Sequence, residues 1–449
     1  MKKYSIFAIL FALSLSAFSQ VTTPLPPAGG VGGGAALSLS DCRRLALQHN
    51  EKMQMADNAA RQAELDRQIA FAQYLPQVDG SLTSIFMSDR DIIGMKLQVR
   101  GTYMAGLNIT QPIYVGGKIT AANRLAAIGQ KVSEEQRRKT EMQIIADVDN
   151  AYYQLIAVRS KVQMLEAYAR QMESLHDKVQ LSVNADMATD NDLLRVDSKQ
   201  SEITYLLQKA RNGEQLCQLA LAHVIGTDFA TPITPTDSVF SVSSVPSVLS
   251  EDLTDRPDLA LLHQQVEAKQ ATLKMTRSNY LPTLALVGRY SYYDNLKLKG
   301  SLHTLNGTPI DISYTFNGGT PMALLSLSVP IFHWGQEFKK VKKAKLDVDN
   351  ARLQLQQGER GMRLEVRQAV QNLTDGQKMV ETATLSQQQA DENLRNMRLR
   401  YDNQMVTMTD LLDAQSQWQQ AHSNLIEAQT QLRIYETEYL RVTGRLTVQ

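Results

Sequence analysis

The residues Thr407-Met408-Thr409-Asp410-Leu411-Leu412-Asp413 set two carboxylates three positions apart. On a helix that spacing puts both on one face. Such a pair offers either a local negative field or an ordinary solvated helix face. The same phrase occurs 218 residues earlier, where Met187, Thr189, Asp192, Leu193 and Leu194 match Met405, Thr407, Asp410, Leu411 and Leu412. Asp192 and Asp197 would suit a plain solvated face equally well. Elsewhere the chemistry is sparse. The seven histidines, at 49, 176, 223, 263, 303, 333 and 422, lack metal-ligand spacing. No G-x-S-x-G, H-E-x-x-H or G-x-x-x-x-G-K-[ST] pattern occurs. The residues argue against an enzyme and imply no cofactor. With 47 basic and 46 acidic residues, no global charge draws the chain to nucleic acid. Cys42 and Cys217 are too few for a disulfide scaffold and are read as free thiols unless the fold brings them together.

The elements that carry these phrases are unusually long. Residues 1–19 combine Lys2 and Lys3, an apolar run from Ile6 to Ala17 and small residues at Ala17 and Ser19, the pattern of a secretory signal peptide. A Pro/Gly-rich leader follows, 20–38, read as a flexible linker. No later apolar stretch is long enough for a membrane-spanning helix, so membrane entry would require a closed β-barrel. Prolines cluster, leaving residues 113–231 and 331–449 free of them, which permits very long helices. "YLP" at 74–76 recurs at 280–282, and "QPIYVGGK" at 111–118 aligns with "VPIFHWGQ" at 329–336. The second offset then holds to Gly226 and Gly444. The chain is a duplication: a first repeat 39–230, a linker 231–250 and a second repeat 251–446.

Each repeat has one plan. A helix, started by Ser40 or Asp41 in the first copy and by Pro257 in the second, leads to "YLP". The period then changes to two over about 77–111 and 283–329, giving a pair of strands per repeat. In the second copy the twelve extra residues fall in the longer loop "DNLKLKGSLHTLNGTPIDISYTFNGGT". Helical hairpins follow at about 117–226 and 335–444, turning at "VNADMATDND" and "YDNQMVTMTD". The fold class is mainly α with a small β part.

Four strands cannot close a membrane barrel, since the smallest use about eight. Closure must come from oligomerisation, and three chains would supply twelve strands. The helical hairpins would then form a second tube in the periplasm. Tyr103, Tyr114, Tyr290, Tyr292, Phe332 and Trp334 are candidates for interfacial girdles. The simpler alternative is that these aromatics only close the strand ends. The rival to a channel is a periplasmic coiled-coil adaptor or scaffold without a pore, which would have no need of duplicated strand pairs.

"YLP", "QPIYVGG" with "VPIFHWG", the paired Thr–Asp–Leu-Leu turn phrases and the closing Gly226 and Gly444 together resemble the TolC family of outer-membrane efflux proteins. The resemblance runs from about residue 37 to 446. It implies a homotrimer in outer-membrane lipid, with a 12-stranded β-barrel continued by an α-helical barrel. It also implies passive export from an inner-membrane pump through a periplasmic adaptor, a membrane fusion protein. Carried over residue by residue, the family's constriction carboxylates fall on Asp410 and Asp413. Its closed-state lock falls on Tyr401 and Asp192, but the arginine expected beside them is Val406. The turn residues Val183, Asn184, Asp186, Met187, Thr189, Asn403, Gln404, Met405 and Thr407 are candidates for adaptor contact, or are only turns. The family's tip glycine is replaced by Asp186 and Gln404. Asp186 tolerates a left-handed backbone, whereas Gln404 is a poor fit to one.

Overall fold

Ser38 starts the first helix. Its hydroxyl accepts from the Asp41 N–H at 3.2 Å, while the Asp41 carboxylate accepts from the Ser38 hydroxyl at 2.7 Å and from its N–H at 3.4 Å. The cap is therefore Ser38 rather than Ser40, with Asp41 the third helical residue of a reciprocal box. The computed structural model describes residues 36–86, 90–92, 95–98, 100–229, 233–236, 250–303 and 309–447. The signal peptide, nearly all of the leader and most of the 231–250 linker lie outside the described residues.

Strand β1 (Ala36–Leu37) leads into α1 (Leu39–His49) and α2 (Glu51–Ala72). One helix was expected here, and Asn50 divides it. Its backbone is extended, at φ −65° and ψ 128°. Its side-chain oxygen accepts from the Lys52 N–H at 2.9 Å, and its amide donates to the Val224 carbonyl at 2.8 Å. The same residue thus ends one helix and caps the next. After α2 come β2 (Gln77–Phe86), β3 (Arg90–Ile92), β4 (Met95–Gln98) and β5 (Arg100–Val115). The helical hairpin α3 (Lys118–Asn184) and α4 (Asp190–Ile225) follows, then β6 (Thr234–Pro235), which pairs in parallel with β1.

The second repeat runs α5 (Pro257–Ser278), β7 (Thr283–His303), β8 (Pro309–Ser328), α6 (Gln336–Asp402) and α7 (Met408–Val442). Helices α2 and α5 are both 22 residues long, and α3 and α6 are both 67. At 1.5 Å per residue, each long helix extends about 100 Å. The segment expected to be a long loop in the second copy is instead mostly strand. The β7–β8 ladder continues out to His303 opposite Pro309.

The four main strands pair antiparallel in the order β2-β5-β7-β8. Directly opposed residues share a face of a sheet. The register therefore collects Val78, Leu82, Leu107, Ile109, Tyr290, Leu286, Leu325 and Leu327 on one side. Asp79, Thr83, Asn108, Arg289, Ser291 and Thr320 gather on the other. One face is largely apolar, while its reverse mixes these polar residues with Met104, Val287, Met322 and Leu324; neither is covered by a helix layer of this chain among the described residues.

The helices bury separate clusters along their length rather than one core. Near the middle, Cys42, Ala46 and Met53 pack on Val148, Tyr152, Leu155, Leu221 and Ile225. Cys217 packs at the edge of this cluster, and the two cysteines form no disulfide with each other. Here Asp149, fully buried, takes the Arg43 guanidinium in two bonds of 2.7 and 2.6 Å and the Thr437 hydroxyl at 2.8 Å. That network ties α1, α3 and α7 together.

Candidate functional site at the hairpin turns

The two hairpins end in turns of the same construction. At the end of α3, Met187 N–H donates to the Ser182 carbonyl at 2.8 Å and Asp186 N–H to Val183 at 3.0 Å. At the end of α6, Met405 N–H donates to Arg400 at 2.8 Å and Gln404 N–H to Tyr401 at 2.9 Å. This pair of bonds forces a left-handed residue between them. Asp186 and Gln404 both take it, each at φ 58°. Gln404 therefore holds the same turn as Asp186 despite its poorer intrinsic fit.

The returning helices also start alike. Thr189 and Thr407 are their N-caps. The Asp192 carboxylate accepts the Thr189 hydroxyl at 2.7 Å, and Asp410 accepts the Thr407 hydroxyl at 2.6 Å and the Thr407 N–H at 2.9 Å. The duplicated Thr–Asp spacing is thus a capping box in both repeats. Hydrogen bonds from the Thr407 hydroxyl and backbone hold the Asp410 carboxyl below the usual aspartate range. Asp413 lies three residues on, exposed, with no hydrogen bond or ion pair among the described residues. Of the two carboxylates, Asp410 caps its helix, while Asp413 has no such engagement among the described residues.

Around the turns, a shared apolar cluster joins the hairpins. Tyr168, Met172 and Val179 of α3 and Val196 of α4 pack with Leu394 of α6 and Met408 and Leu411 of α7, with Val183 and Tyr401 at its margin. Burial raises the Tyr401 phenol pKa, and the nearby Asp192 and Asp402 charges add to the rise. Tyr401 and Asp192 are thus neighbours, yet Tyr401 makes no hydrogen bond among the described residues. The cross-hairpin polar contacts come from elsewhere. Arg195 of α4 donates to the Thr409 hydroxyl of α7, and Arg398 of α6 donates to the Gln171 amide oxygen of α3. Neither was singled out in the sequence. Arg195 stands one turn after Asp192. Among the other turn candidates, Met187 and Met405 project into solvent, 68% and 73% exposed. Asn184 ends α3, and Asn403 caps α6 by donating to the Leu399 carbonyl at 2.7 Å.

The aromatic candidates lie far from the turns. Tyr103, Tyr114, Tyr290 and Tyr292 stand on the apolar face of the sheet, opposite Asp294, Leu284, Leu107 and Ala105. Phe332 and Trp334 are exposed beyond the end of β8, their rings 5.2 Å apart. Trp334 has φ 52°. Its counterpart in the first repeat is Gly116, where an added Cβ would lie 2.6 Å from the Ser278 carbonyl.

A paired α/β architecture with a two-faced sheet and 100 Å hairpins defines a chain built as part of an outer-membrane channel. The model of the outer membrane efflux protein family matches residues 43–226 and 248–445, and the chain belongs to that family. Among curated relatives, the outer membrane efflux protein BepC of Brucella suis biovar 1 is 22% identical over 92% of this chain and 87% of its own length. The pyoverdine export outer membrane protein OpmQ of Pseudomonas aeruginosa is 25% identical, over 56% of this chain and 55% of its own length. The solved structure of CusC superposes with a TM-score of 0.78 at 16% identity, covering 94% of this chain and 95% of CusC. The protein is accordingly an outer-membrane efflux channel component, which sets aside a pore-less scaffold. Members of this family are channels rather than enzymes.

Proposed function

We propose that three copies of this chain form one duct, a twelve-stranded barrel continued by a helical tube into the periplasm. Through it, substrates delivered by an inner-membrane pump and a periplasmic adaptor leave passively. The observation that carries this reading is where the chain is unfinished. Among the described residues, strands β2 and β8 each have one unpaired edge, and an unpaired edge is a template for another strand. Large apolar side chains are also exposed on the helices, among them Leu65 and Ile69 on α2, Leu194 and Tyr205 on α4, and Leu353 and Leu364 on α6. A neighbouring copy would satisfy both at once.

On this reading the apolar sheet face meets lipid. Tyr103 and Tyr114 are eleven residues apart on β5, about 36 Å along the strand. At a tilt near 40° that is about 27 Å of membrane, close to the ~25 Å apolar band of such barrels. The aromatics would then sit at the two interfaces, with Phe332 and Trp334 joining Tyr114 at the periplasmic one. Asp410 and Asp413 from three chains would ring the far mouth and favour cations. The turn residues 183–189 and 403–407, with their exposed methionines, are the surface offered to the adaptor. Native mass spectrometry of the detergent-extracted protein tests the assembly: a trimer is expected, and a monomer that still inserts and conducts would refute it.

A further inference from the structure

The seam between the hairpins holds a half-open cavity that the channel reading leaves unused. Helices α3, α6 and α7 bound a space of about 170 Å³ lined by Gln171, Lys178, Arg398, Tyr401, Asp402 and Gln415. Gln415 is 2% exposed, and its side-chain oxygen has no hydrogen-bond partner. Buried amides are rarely left in that state. Arg398 is half-buried and directs its guanidinium to the neutral Gln171 amide, with no carboxylate bonded to it among the described residues. Burial pushes its pKa down, opposed by Tyr168 and Asp402. The Lys178 ammonium stands 3.8 Å from Asp402, a loose pairing. Two cations therefore line the space with one carboxylate, Asp402, an amide whose oxygen is unpartnered and an unbonded phenol, and Asp192 stands near that phenol outside the lining.

We propose that this cavity is a receptor for a small oxyanion, of phosphate or carboxylate chemistry. The Arg398 fork suits two oxygens, and Lys178 adds a point charge. The Tyr401 hydroxyl and the Gln415 amide, turned so that its nitrogen faces inward, complete the donors. An anion held there bridges α3 to α6 and α7 and so fastens the two hairpins to each other.

The test is isothermal titration of the full chain in detergent with inorganic phosphate and, separately, with succinate. It reads binding directly, so it stands or falls independently of the channel reading. Saturable binding of one anion per chain is expected, and whichever of the two binds identifies the source chemistry. Arg398→Gln should weaken it by about tenfold or more, as the loss of a charge-assisted bond does. Arg360→Gln, an exposed arginine on the same helix, should leave it unchanged. Ser174→Phe, which fills the rim and keeps every charge, should abolish binding even where Arg398→Gln proves poorly folded. No saturable binding of either anion, or binding unaltered by both Arg398→Gln and Ser174→Phe, would overturn the proposal.

Discussion

In the proposed duct, the Arg195–Thr409 contact would act as a latch at the turn end. It is a polar contact between the first hairpin's return helix and the start of the second's, beside the apolar cluster they share. Thr409→Val removes the accepting hydroxyl and keeps shape and β-branching, so the apolar cluster beneath it is undisturbed. A hydrogen bond from a charged donor to a hydroxyl at an exposed site contributes about 0.5–1 kcal/mol after solvent screening. If three symmetric latches release together, the sum is about 1.5–3 kcal/mol. At 1.4 kcal/mol per factor of ten, the closed-to-open ratio falls by about 10- to 150-fold. Single-channel recording in planar bilayers reads that ratio directly, as open occupancy at fixed voltage. Arg195→Ala should produce a similar shift, and the double variant should add little to either, since both remove one bond. Unchanged occupancy in Thr409→Val, or strictly additive shifts in the double variant, would refute the latch.

Three further outcomes follow from the geometry. Gln404→Gly should stabilise the chain by about 0.5–1 kcal/mol, because the left-handed backbone costs glutamine more than the unfolded-state entropy costs glycine; urea unfolding checks it. Asp149→Ala strands the Arg43 guanidinium among buried helices and should destabilise by about 3–5 kcal/mol, whereas Arg43→Met with Asp149→Leu should lose far less; the same urea series compares them. Because Thr407 lowers the folded pKa of Asp410, its cap contributes fully above the unfolded value of about 3.9 and is lost as pH falls through the folded one. Thermal unfolding of the parent and Asp410→Asn should therefore differ from neutrality down to about pH 4 and converge only in stronger acid; a gap unchanged at the acid end would contradict the capping role.

What could be read from the sequence was whatever is periodic or repeated. Proline-free runs and the 218-residue offset reveal two long hairpins because a helix 100 Å long must exclude proline throughout. The misread places are those where one residue type serves two structures. Asn50 reads as an interior helical residue but closes α1 and caps α2. The segment 294–303 alternates Leu296, Leu298 and Leu302 with lysines as a strand should, yet its asparagine and glycine read as turn. Contacts between elements leave no local trace at all. Arg195 and Thr409 are 214 residues apart and nothing near either announces the other.

Duplication explains why the turns agree while the walls differ. The two turns keep the same backbone bonds and the same capping box even where the left-handed residue changes from Asp186 to Gln404. The hydrogen-bond ring around the turn therefore outweighs the side-chain preference of one residue. Away from the turns, the copies have parted. Buried Asp149 corresponds to Arg367, which is 71% exposed and pairs with Glu251. Gly116, wedged against Ser278, corresponds to Trp334, open to its surroundings at 87% exposure. One copy has put its side chains into joining the helices at mid-length, and the other has put an exposed aromatic at the end of its strand pair, where the proposed barrel would meet lipid headgroups. A chain of two identical copies would have no such division of labour, and a single copy would lack the second hairpin that Arg195 contacts.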